Sequence, residues 1–386
     1  MKTVIVYPFS SDYKPVTDYI HMLSPEYDIK AIVSPKGWGY VGIEIDNKKS
    51  DCKNCTLTIQ SDFSSALTPE IDTLLIPHFI SDSTFELKVV ETIIENLSHF
   101  KLIFCYKQFN IENFSLLQRK SKQTNCKFID MNTPKSPEQF SIDDAGDFNS
   151  KKYDEKNSFL KKISTPIIVV CGMGEDTDKF EVSLVLQELL SGEGFQSSVV
   201  GSKQYEALIG VHAFPSFMFH SEVDERQKVI CFNRYIKNIE LEQQPDVIII
   251  SIPGAVKAYS EEITQGFGLL HYMVFQAVLV DYFIMCSYLI NNDCREFLCT
   301  ESDSYKGRFG CGIDCYHISN KKIDYHATSF NNRVVSGSDN DQIVEQAVKN
   351  NNTGDRPIII NAFHKNGKKQ LLQDVLDKLR TDFILV

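Results

Sequence analysis

The sequence predicts an α/β protein built from two parallel-sheet domains, and three observations carry that reading. Short β-branched runs alternate with helical patterns from the N-terminus onward, as crossover-connected parallel strands require. A stretch poor in aliphatic residues, 132–158, interrupts the alternation and reads as a linker. Beyond it, "IIVVCGMGEDTDKFEVSLVLQELLSGEGF", Ile167 to Phe195, sets a glycine turn between an apolar strand and a helix.

The first domain, residues 1–131, reads as Rossmann-like. Lys2 to Tyr7, Ile29 to Val33, Thr73 to Ile76, Leu102 to Tyr106 and Lys127 to Met131 are its expected strands. Between the third and fourth, Ser81 to Ser83 offer an N-cap, and Leu87, Val90, Ile94 and Leu97 recur on one helical face. "GWGYVG", Gly37 to Gly42, matches the dinucleotide fingerprint to the letter, but an extended "IEIDNKK" follows it where a helix is required. It reads as a glycine-rich turn exposing Trp38 and Tyr40.

The second domain, residues 159–386, has expected strands at Pro166 to Cys171, Ser197 to Gly201, Val247 to Ile252, Tyr282 to Leu289 and Pro357 to Asn361. Its longest apolar stretch, Leu269 to Ile290, contains His271, Gln276 and Asp281. A charge near mid-bilayer is costly, so the stretch reads as a helix ending near Val280 followed by a buried strand rather than a membrane span.

Across 386 residues the formal net charge is -11. That balance, with no basic stripe, argues against nucleic acid as a partner. No secretion signal is evident in "MKTVIVYPF", so a cytoplasmic protein is expected. The cysteines number eleven, and free, mostly buried thiols are the default there. Cys52 and Cys55 form a C-x-x-C, and Cys311, Cys315 and His317 a second grouping, but neither completes a four-ligand zinc set. "HAFPSFMFH", His212 to His220, reads as a cleft wall or core loop, and its aromatic run also offers a homo-oligomer interface.

The loop after the first strand of the second domain is the candidate ligand site. A Walker loop uses glycines to converge backbone N–H groups on phosphate, a Lys to reach the terminal phosphates and a Ser or Thr hydroxyl to hold Mg²⁺. Gly172 and Gly174 supply the turn and Lys179 opens the helix, with Gly192 and Gly194 at its end. The remaining chemistry departs from the pattern. Asp178 stands where the glycine before the Lys belongs, and Phe180 where the hydroxyl belongs. Glu175, Asp176 and Asp178 surround one lysine, and like charges 4 to 5 Å apart repel by roughly 3 to 4 kcal/mol at an effective dielectric near 20. The strand "DVIIIS" ends in Ser251, Ile252 and Pro253 without the expected acid; Asp246 lies at its beginning instead. ATP or GTP with Mg²⁺ should therefore bind weakly or not at all, with Glu181 as the substitute metal ligand if a metal enters. Thr177 or Asp178 can cap the helix, Lys179 can neutralise the acids, or the acids can hold a cation or amine.

The spacing of seven from Gly172 to Lys179 resembles the dethiobiotin-synthetase-like branch of P-loop proteins, which implies a P-loop NTPase-like parallel sheet. Together, "GMGEDTDKFEVSL", "DVIIISIPGAV" and "CYHISNKKIDY" resemble a clostridial family attached to ribosomal peptide maturation systems of the bacteriocin type. That resemblance implies a precursor peptide and maturation enzymes as partners, radical SAM maturases and an acyl-carrier-related protein being encoded alongside. The function expected is an accessory or recognition protein of peptide maturation on a degenerate P-loop scaffold, with Gly172, Gly174, Glu175, Asp176, Thr177, Asp178, Lys179 and Glu181 as its ligand loop. The alternative is a nucleotide-dependent ligase or acyltransferase of the same pathway. Cys171 is then the available nucleophile, and His212, His220 and His271 the available bases.

Overall fold

The computed structural model describes residues 2–10, 13, 17, 19, 26–46, 56–77, 79, 82–131, 159–201, 209–221, 223–258, 268–290, 294–324, 335–337 and 341–383. The linker expected at 132–158 and the Cys52/Cys55 pair lie outside them. The chain divides into two compact units, 1–134 with 204–211, and 135–203 with 212–386.

The first unit runs β1 (Lys2–Val6), β2 (Tyr27–Ile32), β3 (Glu44–Asp46), β4 (Thr56–Thr58), α1 (Phe63–Ala66), β5 (Thr73–Ile76), α2 (Ser83–Glu95), β6 (Leu102–Cys105), α3 (Ile111–Gln123) and β7 (Lys127–Asp130). Five strands form a parallel sheet in the order β2-β1-β5-β6-β7, a doubly wound arrangement. Its core gathers Ile5, Leu74, Ile76, Ile103 and the inner face of α2.

Two local expectations need correction. The buried stripe of α2 is Val89, Val90 and Ile93, continued by Leu97 beyond its end, while Leu87 is 40% exposed, so the packed face is rotated from the one the spacing indicated. The Gly37–Gly42 turn does lead into β3, which pairs antiparallel with β4, and its three glycines all have positive φ. Trp38, however, packs against Phe79 and Phe85, and Tyr40 against Phe9, so both rings are half-buried rather than exposed.

The second unit runs β8 (Ile167–Gly172), α4 (Lys179–Gly192), β9 (Ser197–Gly201), β10 (His212–Ala213), α5 (Glu225–Gln243), β11 (Val247–Ser251), α6 (Leu269–Ala277), β12 (Tyr282–Ser287), α7 (Arg295–Phe309), β13 (Cys315–Ile318), β14 (Lys321–Ile323), β15 (Val335–Gly337), α8 (Asp341–Asn351), β16 (Ile358–Ile360) and α9 (Lys365–Phe383). Seven strands form a parallel sheet in the order β10-β9-β11-β8-β12-β13-β16. β8, β11 and β12 are buried along their whole length, which is why they read as continuous apolar runs without alternation. α6 stops at Ala277 and β12 follows, and no helix among the described residues is long and apolar enough to cross a membrane.

The order of the strands places the site. From β8 the chain moves to β9 and β10 on one side, returns to β11, and later continues through β12, β13 and β16 on the other. The carboxyl end of β8 is therefore a switch point, where an open parallel sheet leaves a crevice for ligands.

Candidate functional site

The loop joining β8 to α4 begins by extending the sheet on both sides. Met173 N donates to Cys286 O at 2.8 Å, Val256 N to Gly172 O at 2.9 Å, and Lys257 N to Met173 O at 3.1 Å. Thr177 Oγ1 donates to Gly174 O at 3.1 Å and closes the turn on itself. A Cβ on Gly172 would lie 2.4 Å from Gly174 O, and one on Gly174 would lie 2.4 Å from the Tyr288 ring. Glycine is needed at both positions because the backbone and an aromatic ring already fill the space.

Asp178 then enters the left-handed region at φ 64° and ψ 16°, as does Asp176 at φ 57°. Aspartate tolerates that region better than most residues, so the slot that a glycine fills in a Walker loop is kept by a different side chain. Asp178 makes no side-chain cap to α4. Its carboxylate turns instead toward the end of β13. Ser319 Oγ donates to Oδ2, Lys321 Nζ pairs with Oδ1, and His317 Nε2 lies 3.7 Å from Oδ2. Burial pushes the Asp178 carboxyl up, but the His317 imidazole and the Lys321 ammonium outweigh it and hold it well below the usual carboxylate range. Burial pushes Lys321 down, and Asp178 and Glu181 outweigh that to raise it.

His317 is fully buried in β13. Its Nδ1 accepts from Ala362 N at 3.0 Å, which leaves the proton on Nε2, facing Asp178. Phe363 closes over the ring edge to face, with centroids 5.0 Å apart. Ser319 N donates to Ser287 O at 2.9 Å, so the ladder with β12 continues one residue past β13 and holds the hydroxyl in place.

Lys179, the first residue of α4, is 8% exposed, and its Nζ donates to Gly254 O at 2.6 Å in the segment after β11. Phe180 is buried in the core, and no hydroxyl replaces it there: Ser183 Oγ donates back to Lys179 O at 2.9 Å. Tyr288 OH donates to Glu175 O, fixing the loop from the β12 side. Glu181 lies in the first turn of α4 near Lys321. The expected loop residues thus share one loop and helix start, while Asp178 finds its cation in Lys321.

The other expectations sort clearly. Asp246, at the start of β11, accepts from Gln196 N at 2.8 Å and fastens the opposite end of the strand. Cys171 is completely buried, and burial raises its thiol well above the ordinary value despite the opposing Lys179 charge, which disfavours the thiolate. His271, on α6, is 1% exposed, and neither ring nitrogen has a hydrogen-bond partner among the described residues. Burial, with the Lys179 charge adding to it, lowers its pKa to about 3. Phe214, Phe217 and Met218 belong to the core and Phe219 remains 59% exposed, so most of the aromatic run faces inward. No group of three or more His, Cys, Asp or Glu side chains among the described residues is arranged to hold a metal ion. A cleft of about 510 Å³ lined by Leu160, Pro166, Phe275, Val278 and Leu379 lies at the amino end of β8, away from the switch point.

His317, Ser319 and Lys321 are the site residues that motif reading missed. They lie in β13, in the connection after it and at the start of β14, so no single strand's alternation marks them as a group, and the stretch reads more readily for zinc spacing.

The whole chain resembles the crystal structure of a DUF1611 family protein from Anabaena variabilis ATCC 29413. The TM-score is 0.58 at 12% identity, with 98% of this chain and 100% of that chain covered. The likeness shows the α/β fold. No protein-family model and no curated protein matches the chain.

Proposed function

We propose that this protein is an accessory or recognition protein in the maturation of a ribosomally synthesised peptide, and that the loop from Gly172 to Glu181 is a ligand site on a degenerate P-loop scaffold. The observation that carries the non-hydrolytic part is the side chain of Asp178. It places a buried carboxylate, held ionised, at the mouth of the loop, while Phe180 removes the hydroxyl that would anchor Mg²⁺. An anionic triphosphate meets repulsion there, whereas a basic or amine-bearing peptide segment meets Glu175, Asp176 and Glu181. The peptide pathway rests on the sequence resemblance, and the cytoplasm is the compartment that goes with it.

The test is co-purification of the protein with the precursor peptide and the maturase. Association with either supports the reading. No association, under conditions where the maturase itself holds the peptide, defeats it.

A second reading, a nucleotide-dependent ligase or acyltransferase of the same pathway, draws on Lys321. Its charge offsets Asp178, and with Lys179 at the first turn of α4 it leaves two ammonium groups at the switch point. Mg²⁺-dependent consumption of ATP on addition of peptide would favour it.

A further inference from the structure

Three donors, from β13, the connection after it and the start of β14, converge on a single carboxylate. The Ser319 hydroxyl, the Lys321 ammonium and the protonated Nε2 of His317 all face Asp178, although Asp178 sits on a different element and reaches them only through its left-handed backbone. His317 Nε2 is buried and has no hydrogen-bond partner among the described residues, because Asp178 Oδ2 stops at 3.7 Å. A hydroxyl, an ammonium and an imidazole N–H set around one point make a receptor for an oxyanion. The aspartate fills it without saturating it.

We propose that His317, Ser319 and Lys321 form an oxyanion receptor that Asp178 occupies in the ligand-free protein, and that a carboxylate or phosphate group of the ligand competes with Asp178 for it. The proposal rests on the loop being a ligand site and adds, beside the amine that Glu175, Asp176 and Glu181 would meet, an anionic group on the same ligand and the residue that guards its receptor. Displacing the Asp178 carboxylate would move one negative charge out of the receptor, while His317 and Ser319 are held by the Ala362 N–H and the β12 ladder and Lys321 by the bond from Leu289 N to its carbonyl.

The experiment is calorimetric titration of inorganic phosphate, and separately of acetate, into wild type, Asp178→Gly, and Asp178→Gly with Lys321→Met. Glycine accepts the positive φ, so the loop keeps its path. Asp178→Gly should bind phosphate about tenfold or more tighter than wild type, and the added Lys321→Met should abolish the gain. Acetate gaining as much as phosphate identifies a carboxylate receptor, and phosphate gaining alone identifies a phosphate receptor. Circular dichroism checks folding. If the glycine variant does not fold, Asp178→Asn, which also tolerates the left-handed region, takes its place and should show the same dependence on Lys321. Equal phosphate affinity in wild type and the position-178 variant, or a gain that survives Lys321→Met, overturns the proposal. Peptide capture is scored separately, so failure of the peptide reading leaves this result intact and the converse holds.

Discussion

Ser319, one residue beyond β13, donates its hydroxyl to the carboxylate of Asp178 at the start of α4, 141 residues earlier in the chain. With Lys321 on the other oxygen, this contact ties the β8–α4 loop to the far half of the sheet. Removing both sides should cost less than the sum of removing each. Asp178→Ala leaves the Lys321 ammonium, 32% exposed, without its acid, and Lys321→Met leaves Asp178, 7% exposed, without its cation. Each is expected to lower stability by about 1 to 3 kcal/mol, with the double variant recovering part of the sum. Urea denaturation of the four proteins measures the coupling, and strict additivity would contradict it.

The same carboxylate sets an acid-side limit. Because its folded value lies below its ordinary 3.8, Asp178 contributes stability that is fully present above about pH 4 and is lost as pH falls through the folded value. The stability difference between wild type and Asp178→Asn should therefore be constant from pH 7 to about pH 5 and shrink below pH 4. Denaturation midpoints across that range provide the check.

His271 acts in a different window. Its folded value of about 3 against an ordinary 6.5 means that the unfolded chain takes up a proton the folded chain refuses. Stability is complete above pH 6.5 and should fall by about 1.4 kcal/mol per pH unit below it. His271→Met should flatten the profile between pH 6.5 and 4 and cost little at pH 8, since its ring nitrogens have no hydrogen bond to lose among the described residues. An unchanged slope in the variant would show that other groups govern acid stability.

Gly174→Ala should strain the loop against Tyr288, where the added methyl meets the ring at 2.4 Å. A loss of about 1 to 3 kcal/mol is expected, and Tyr288→Ala in the same chain should return part of it even though the Tyr288 hydroxyl bond to Glu175 O goes with the ring. Thermal denaturation of the single and double variants decides the matter.

Nucleotide binding is the remaining test of the loop. Calorimetry with ATP and GTP, with and without Mg²⁺, should give no micromolar affinity for wild type and no difference on Lys179→Ala, whose lost contact is to Gly254 O. Mg²⁺-dependent micromolar binding that vanishes with Lys179 would overturn the scaffold reading and leave Glu181 as the metal ligand.

Much of this was legible before folding. Thr73–Ile76 and Ser197–Gly201 are strands over the ranges their composition indicated, and the other expected strands agree within a few residues, because short β-branched and apolar runs between turn residues favour the extended chain. The turn between β8 and α4 was visible in Gly172 and Gly174, whose missing side chains are required by the loop's own carbonyl and by Tyr288. β13 was not visible. "CYHI" carries a cysteine and a histidine in place of aliphatics, and its burial comes from β12 and β16 on either side rather than from its own composition.

The sequence by itself determined the two α/β halves, the strand-loop-helix and the excess of acids over lysines within the loop, since periodicity, glycine placement and charge are local properties of the chain. Tertiary structure alone decided which charges meet. The parallel order of the sheet brings β13 to the carboxyl end of β8 by way of β12, so Lys321 rather than Lys179 holds Asp178, and Lys179 goes to Gly254 O. Electrostatic energy falls with distance and with solvent screening, and a sequence sets neither until the strands have found their neighbours.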